Sequence, residues 1–510
     1  MLKKSILFVL IAAALVVALA LLTRQALPDN SQRPPSQRLP IQPEGQFARH
    51  LLPRMAERPG LSGIYPLREG RDAFLARLAL AESAQYTLDV QYYIWHDDIS
   101  GRLLLQSLYK AAERGVRVRL LLDDNNTSGM DGLLAAVNAH PRIEVRLFNP
   151  FMQRGFRPLG YLSDFFRLNR RMHNKSFTAD GLVTIVGGRN VGDEYFGAGT
   201  GVMFADLDVA AIGPAALAVE QDFDRYWASE SAYPAENIID PAAPAAFDTT
   251  PAANAQTRAY LHALSQSAFA RHLQAGTLPL EWAQATLVSD DPAKGLGQAL
   301  PDNTVLAHIG PVLAAAQNEL LIVSPYFVPT QRGTDLLGQV ARSGKKVTVL
   351  TNSLSATDVA PVHAGYAKYR KDLLQAGVQL LELKPDATVI AESHGGLTGS
   401  SGASLHAKTF AVDRQKLFVG SFNMDPRSAQ LNTEMGFILH SPELAGQLAD
   451  GLTRHAAHHT YSVAQTPRGD LQWQTQEGGK TVAYDSEPQS GWLQRFAVWF
   501  CGLLPIEWLL

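Results

Sequence analysis

The sequence predicts an α/β protein of two pseudo-symmetric α/β/α lobes that share one cleft. One supporting observation is a strand–helix–strand pattern that occurs twice. The other is a pair of polar motifs held at one constant separation. An uncharged N-terminal run adds a membrane segment ahead of the lobes.

Taken in order, Lys3 and Lys4 precede an uncharged run from Ser5 to Leu22, closed by Thr23 and Arg24. Eighteen residues in a helix span ~27 Å, close to a hydrocarbon core. This predicts a signal-anchor over 1–24, with the lysines on the cytoplasmic side and the body outside; a cleaved signal is the alternative. Residues 25–49 carry Pro28, Pro34, Pro35, Pro40 and Pro43 and read as an extended tether. The first lobe is expected over 50–240, a connection over 241–300 and the second lobe over 301–460. A C-terminal extension follows over 461–510.

The repeat is visible in its strands and helices. Tyr86–Trp95 (YTLDVQYYIW) and Glu319–Val328 (ELLIVSPYFV) are β-rich apolar runs. Helical patterns follow over Gly101–Arg114 and Gly333–Ser343. Each reaches a glycine, Gly115 or Gly344, and a further apolar run to Asp124 or Ser353. Ile143–Phe148 and Val378–Leu383 are again strand-like. Such alternation predicts βαβ units and a mostly parallel sheet in each half. Asp240–Gln298 shows no clear strand pattern and reads as connection plus surface helices.

The same relative place in each half holds MHNKSFTADGLVTIVGGRN and LHAKTFAVDRQKLFVGSFN. His173 and His406, Lys175 and Lys408, Asp180 and Asp413, and Asn190 and Asn423 are each 233 residues apart. On a strand, residues i and i+2 share a face, so each His and its Lys project together. The glycine-started turn that follows can return each Asn beside them. Two halves paired about a pseudo-twofold axis then surround one cleft with two imidazoles, two ammonium groups and two carboxamides. Ammonium and amide donors suit phosphate oxygens, and neutral imidazole suits attack or proton transfer. Lysine charge makes a divalent-metal cage unnecessary, and neither a metal nor a cofactor is expected. Asp180 and Asp413 fall on the opposite strand face, where a structural role competes with a catalytic one. Alignment of the halves at Pro214 and Pro442 pairs Asp206 with Glu434, which makes these carboxylates the candidates for orienting the imidazoles. Asp208 is a close rival of Asp206. Asp97, Asp98, Asp123 and Asp124 fall where strands end and read as caps or cleft-rim charges.

The duplicated H-x-K-x4-D resembles the hallmark of the phospholipase D superfamily, over about residues 50–460. YYIWHDDISGRLL, RLNRRMHNK, GGRNVGDEYFG, DLDV and the final LLPIEWLL resemble the bacterial cardiolipin synthase C-type subgroup. That resemblance implies transfer of a phosphatidyl group through a covalent phosphohistidine. One histidine attacks phosphorus while the other protonates the leaving alcohol and then deprotonates the acceptor. His173 is the nucleophile by the same resemblance. Hydrolysis by water, a nuclease-type phosphodiesterase and a non-catalytic lipid-binding module are the competing readings. Charges of 45 basic against 48 acidic residues argue against a grip on bare nucleic acid. The resemblance implies phospholipid substrates, and the N-terminal run adds a membrane as the second expected partner. The single Cys501 excludes an intramolecular disulfide framework. Gly491–Leu510 places Trp492, Phe496, Trp499, Phe500 and Leu503 at helical spacing, and Pro505 stops it from being one span. It reads as an interfacial membrane element, with packing on the body as the alternative.

Overall fold

The computed structural model describes residues 25–199, 203–240, 247–252, 254–385 and 403–510, with four isolated positions before residue 25. The signal-anchor expected over Ser5–Leu22 therefore lies almost wholly outside the described residues. Among the described residues no helix is long and apolar enough to cross a membrane.

Each half contains a sheet of the same order. In the first, Thr87–Ile94, Arg117–Asn126 and Ile143–Phe148 are parallel neighbours. Their counterparts Glu319–Val323, Lys346–Asn352 and Gln379–Leu383 are parallel in the second. Valine and leucine fill these runs, as strands covered on both faces require. The expectation of a mostly parallel sheet needs correction, because the other strands of these two sheets pair antiparallel. The motif strand Ser176–Ala179 turns tightly into Val183–Gly187, and Lys408–Val412 turns into Lys416–Gly420. A turn this short can join only antiparallel partners.

The stretch read as a strandless connection also needs correction. It contains the nine-residue strand Glu281–Ser289, which pairs antiparallel with Met435–His440. This strand is the repeat of Ser62–Leu67, which pairs with Asp208–Ile212. Ser62–Ile64 and Glu281–Ala283 then pair with each other and join the two sheets. The signal was missed because EWAQATLVS carries few β-branched residues and alternates weakly. Ile64, Val186 and Val209 of the first half share one apolar core with Leu321, Val419 and Phe437 of the second. The lobes are thus fixed to each other by packing.

The proline-rich segment read as a tether over 25–49 has no helix or strand up to residue 45, enters the helix Gln46–Ala56, and is strapped to the first lobe. Arg146 donates to Pro34 O at 2.8 Å and Arg117 to Gln37 O at 2.7 Å, while Arg38 N donates to Asp224 at 2.9 Å. The second-lobe groove at the equivalent place, between the helix Pro442–His459 and the sheet, is an open cavity of about 450 Å³ lined by Leu321, Thr348, Leu381 and Leu452.

Candidate active site

Two crossed backbone pairings build the site. The short strand Ala403–Leu405 runs beside Met203–Ala205 of the first half, and His406 N donates to Ala205 O at 2.8 Å. Symmetrically, Met172 bridges Thr433 of the second half, and His173 N donates to Thr433 O at 2.8 Å. Asp206 follows Ala205 and Glu434 follows Thr433, so each histidine is delivered to the other lobe's carboxylate. His173 Nδ1 lies 2.8 Å from Glu434 Oε2, and His406 Nδ1 lies 2.5 Å from Asp206 Oδ2. Both carboxylates are completely buried. With Nδ1 committed to a carboxylate, Nε2 of each ring is left for chemistry.

Lys175 donates from Nζ to His173 O at 2.6 Å, and Lys408 makes the same contact with His406 O. Tyr93 packs edge-on against His173 at 4.9 Å and lies 5.4 Å from the Lys175 ammonium. Tyr195 and Phe204 flank His406 at 5.2 and 5.0 Å. Burial holds both imidazoles well below their ordinary range, and Lys175 and Lys408 deepen the effect on each. The two crossed pairs, each with its lysine on the histidine carbonyl, bring all four groups to the junction of the lobes. Burial also lowers Lys175 well below the usual lysine range and brings Lys408 to about 8. Glu434 is pushed up to about 7, again by burial, with the Lys175 charge opposing.

The carboxylates have unequal supports. Ser421 Oγ donates to Glu434 Oε2 at 2.5 Å. Its counterpart in the first repeat is Gly188, where a Cβ would stand 2.2 Å from Asp206 Oδ1. Only glycine lets Asp206 reach His406. Gly188→Ala is therefore expected to lower kcat about 100-fold while folding normally, as a misplacement of about 1 Å at a catalytic group does; steady-state kinetics with a thermal melt checks it.

The two asparagines differ. Asn190 is closed on the protein, accepting from Ile94 N at 3.2 Å and donating to the Tyr195 hydroxyl at 3.0 Å. Asn423 is buried, with a side-chain oxygen that has no partner among the described residues. Asp180 and Asp413 lie at the far ends of the motif strands, away from the imidazoles. Asp180 accepts from the main-chain N–H groups of Gln85, Tyr86 and Thr87, and Asp413 from those of Gln317, Asn318 and Glu319. Burial opposes ionisation of Asp413, but those three donors keep it below the usual carboxylate range. Both aspartates have positive φ, 50° and 53°, which their short polar side chains tolerate. Asp180→Ala should cost about 3 kcal/mol by orphaning three donors. Asp180→Asn, which keeps an acceptor, should cost far less, and kcat per folded molecule should be unchanged in both. Denaturant midpoints beside kcat read this out.

Asp208 is not on a histidine; it pairs with Arg77 at 2.9 Å. Asp98 caps the helix Ile99–Glu113, Asp97 pairs with Arg102, and Asp124 with Arg154. Asp123 binds Arg171 and Met172 N at 2.7 Å each, bracing the chain immediately before His173. Sequence reasoning missed this brace, although Arg170-Arg171 beside the motif was its signal. It also missed Ser421, Tyr93, Tyr195 and Phe204. His455, His458 and His459 lie on the helix Pro442–His459, with His458 exposed.

The family described as "Cardiolipin synthase, PLD-like domain" matches residues 78–227 and 310–455, once in each half. The chain is 50% identical over 475 residues to cardiolipin synthase C of Escherichia coli (strain K12), covering 91% of this chain and 100% of that protein. It is 26% identical over 415 residues to cardiolipin synthase A of Pseudomonas syringae pv. syringae (strain B728a), covering 80% and 72%. The phosphatidylserine synthase structure of Haemophilus influenzae Rd KW20 shares the fold, with a TM-score of 0.53, 14% identity and coverage of 80% and 91%. The chain belongs to the cardiolipin synthase PLD-like family of the phospholipase D superfamily.

Proposed function

We propose that this chain is a bacterial membrane phosphatidyltransferase that makes cardiolipin from phosphatidylglycerol and a second phospholipid. The crossed His173–Glu434 and His406–Asp206 pairs carry the reading. They supply two imidazoles of fixed tautomer in a lysine-lined cleft, and the relative at 50% identity is a cardiolipin synthase. His173 Nε2 attacks phosphorus, and the P–O bond to glycerol breaks as His406 gives that oxygen a proton. The acceptor hydroxyl then attacks the phosphohistidine, His406 takes its proton, and the P–N bond breaks. Asp206 and Glu434 stabilise whichever imidazole is charged. Lys175, Lys408 and Asn423 face the phosphate oxygens. Nucleic acid has no place in this reading, since the chain is formally −3. Lys3 and Lys4 before Ser5–Leu22 support a single N-terminal span with the catalytic body outside the cytoplasm.

The test is mass spectrometry of lipids after incubating full-length protein in bilayers with phosphatidylglycerol, with and without phosphatidylethanolamine. Cardiolipin and free glycerol are expected. Phosphatidic acid as the main product would make the enzyme a hydrolase. In the same assay kcat/KM should fall as pH rises through about 8, because Lys408 then loses the proton that makes it cationic. The phosphodiester anion holds that proton in place, so the limb in kcat should lie at higher pH.

A further inference from the structure

Outside the N-terminal positions, most of the large apolar side chains left in solvent among the described residues gather on two elements from different parts of the chain, with Leu39, Leu261, Leu300 and Leu306 standing elsewhere. One is the helix Pro158–Leu168 with Phe156 just before it; the other is the tail helix Trp492–Gly502 with the residues that follow. Trp492 is 72% exposed, Phe166 70%, Phe156 62% and Trp499 59%. Soluble surfaces carry such residues singly; a cluster marks an interaction face.

The two elements meet. Phe165 and Trp508 stand edge-on at 6.4 Å. Arg427 ties them together: its Nη2 donates to Asn169 Oδ1 at 3.0 Å, its Nε to Leu509 O at 2.9 Å and its main-chain N to Leu510 O at 2.6 Å. Asn169 lies four residues before His173, and Arg427 four residues after Asn423, so the face adjoins both motifs. It also stands over the carboxyl ends of the parallel strands: Tyr161 donates to Asn125 at the end of Arg117–Asn126. Substrates enter α/β sheets at that edge. The tail is fixed from below by Glu487, which pairs with Arg370 at 2.5 Å, and by Glu507, which accepts from Tyr369 at 3.0 Å.

Charge identifies the occupant. Arg157 is buried on Asp124, and Arg167 and Asp164 pair with each other, which leaves Arg170 and Arg495 as the cations beside the exposed aromatic side chains. The remaining acid, Glu507, accepts from Tyr369 at 3.0 Å. Trp and Phe with flanking arginine suit the headgroup level of an anionic bilayer. We infer that the helix Pro158–Leu168 and the tail helix together form a bilayer-docking face that seats the cleft mouth on anionic lipid. This rests on the lipid-transfer reading for its purpose, but the face itself can be tested without turnover.

The experiment uses the full chain with Cys501→Ser and a single new cysteine, Phe166→Cys, Trp499→Cys or Glu113→Cys. Each carries a polarity-sensitive fluorophore, and Glu113 lies at the opposite edge of the sheet. The protein is reconstituted in vesicles of phosphatidylglycerol and phosphatidylcholine whose acyl chains are brominated. Labels at 166 and 499 should shift to the blue and lose about half of their emission or more, as residues at the acyl boundary do. The label at 113 should keep its emission. Unquenched labels at 166 and 499 would overturn the inference, whether they stay wet or become shielded as protein concentration rises in detergent; the second result would assign the face to another copy of the chain. Quenching without cardiolipin formation would keep the face and reject the transferase reading alone.

Discussion

His173→Ala and His406→Ala should each lower turnover by roughly 10⁴-fold or more, and the double variant should be no worse than either single one. The reason lies in the crossed pairings. Neither lobe holds a complete imidazole–carboxylate pair, because Glu434 reaches His173 and Asp206 reaches His406 from the opposite half. Removal of either imidazole leaves one buried carboxylate without its partner and one half-reaction without its proton carrier. Lipid turnover measured on purified variants, with a melt to establish folding, reads this out. Half of the activity surviving in either single variant would mean two independent sites.

Glu434→Gln and Asp206→Asn should each lower kcat by roughly 10²- to 10⁴-fold, since an amide can present the wrong hydrogen-bonding group and hold the ring in the wrong tautomer. Their signatures should differ. Asp206 serves the proton carrier, so a phosphatidyl substrate with an acidic leaving alcohol, which departs unprotonated, should recover much of the first step in Asp206→Asn. Glu434 serves the nucleophile, so the same substrate should give little recovery in Glu434→Gln. Burst kinetics with an activated phosphodiester separates them, and equal recovery in both variants would reverse or erase the division of roles.

Much of this site is readable in the sequence because the duplication keeps chemistry and spacing together. The 233-residue separation marks His173, Lys175, His406 and Lys408, and the second alignment at Pro214 and Pro442 marks Asp206 and Glu434. Which carboxylate serves which histidine is not readable, because the exchange depends on two short parallel pairings, Ala403–Leu405 with Met203–Ala205 and Met172 with Thr433. A three-residue pairing across 200 residues and a single bridge across 261 leave no period in any of these segments. The strand Glu281–Ser289 was hidden for a related reason: position between two sheets, more than β-propensity, makes it a strand. Asp180 shows the opposite limit. Its place in the motif suggests chemistry, yet its positive φ and three main-chain donors make it the clasp that closes the motif hairpin onto the neighbouring strand. Composition marks the proline-rich strap as irregular chain, but it cannot reveal that Arg117, Arg119 and Arg146 project from the sheet to hold its carbonyls.

The most direct measurement is the stoichiometry and position of the covalent intermediate. Full-length enzyme in phosphatidylglycerol bilayers, quenched during turnover under conditions that preserve phosphohistidine, is digested and its peptides are weighed. One composite site predicts at most one phosphatidyl adduct per chain, on the peptide containing His173 and absent from His173→Ala. Adducts on the His173 and His406 peptides of the same chain would contradict it.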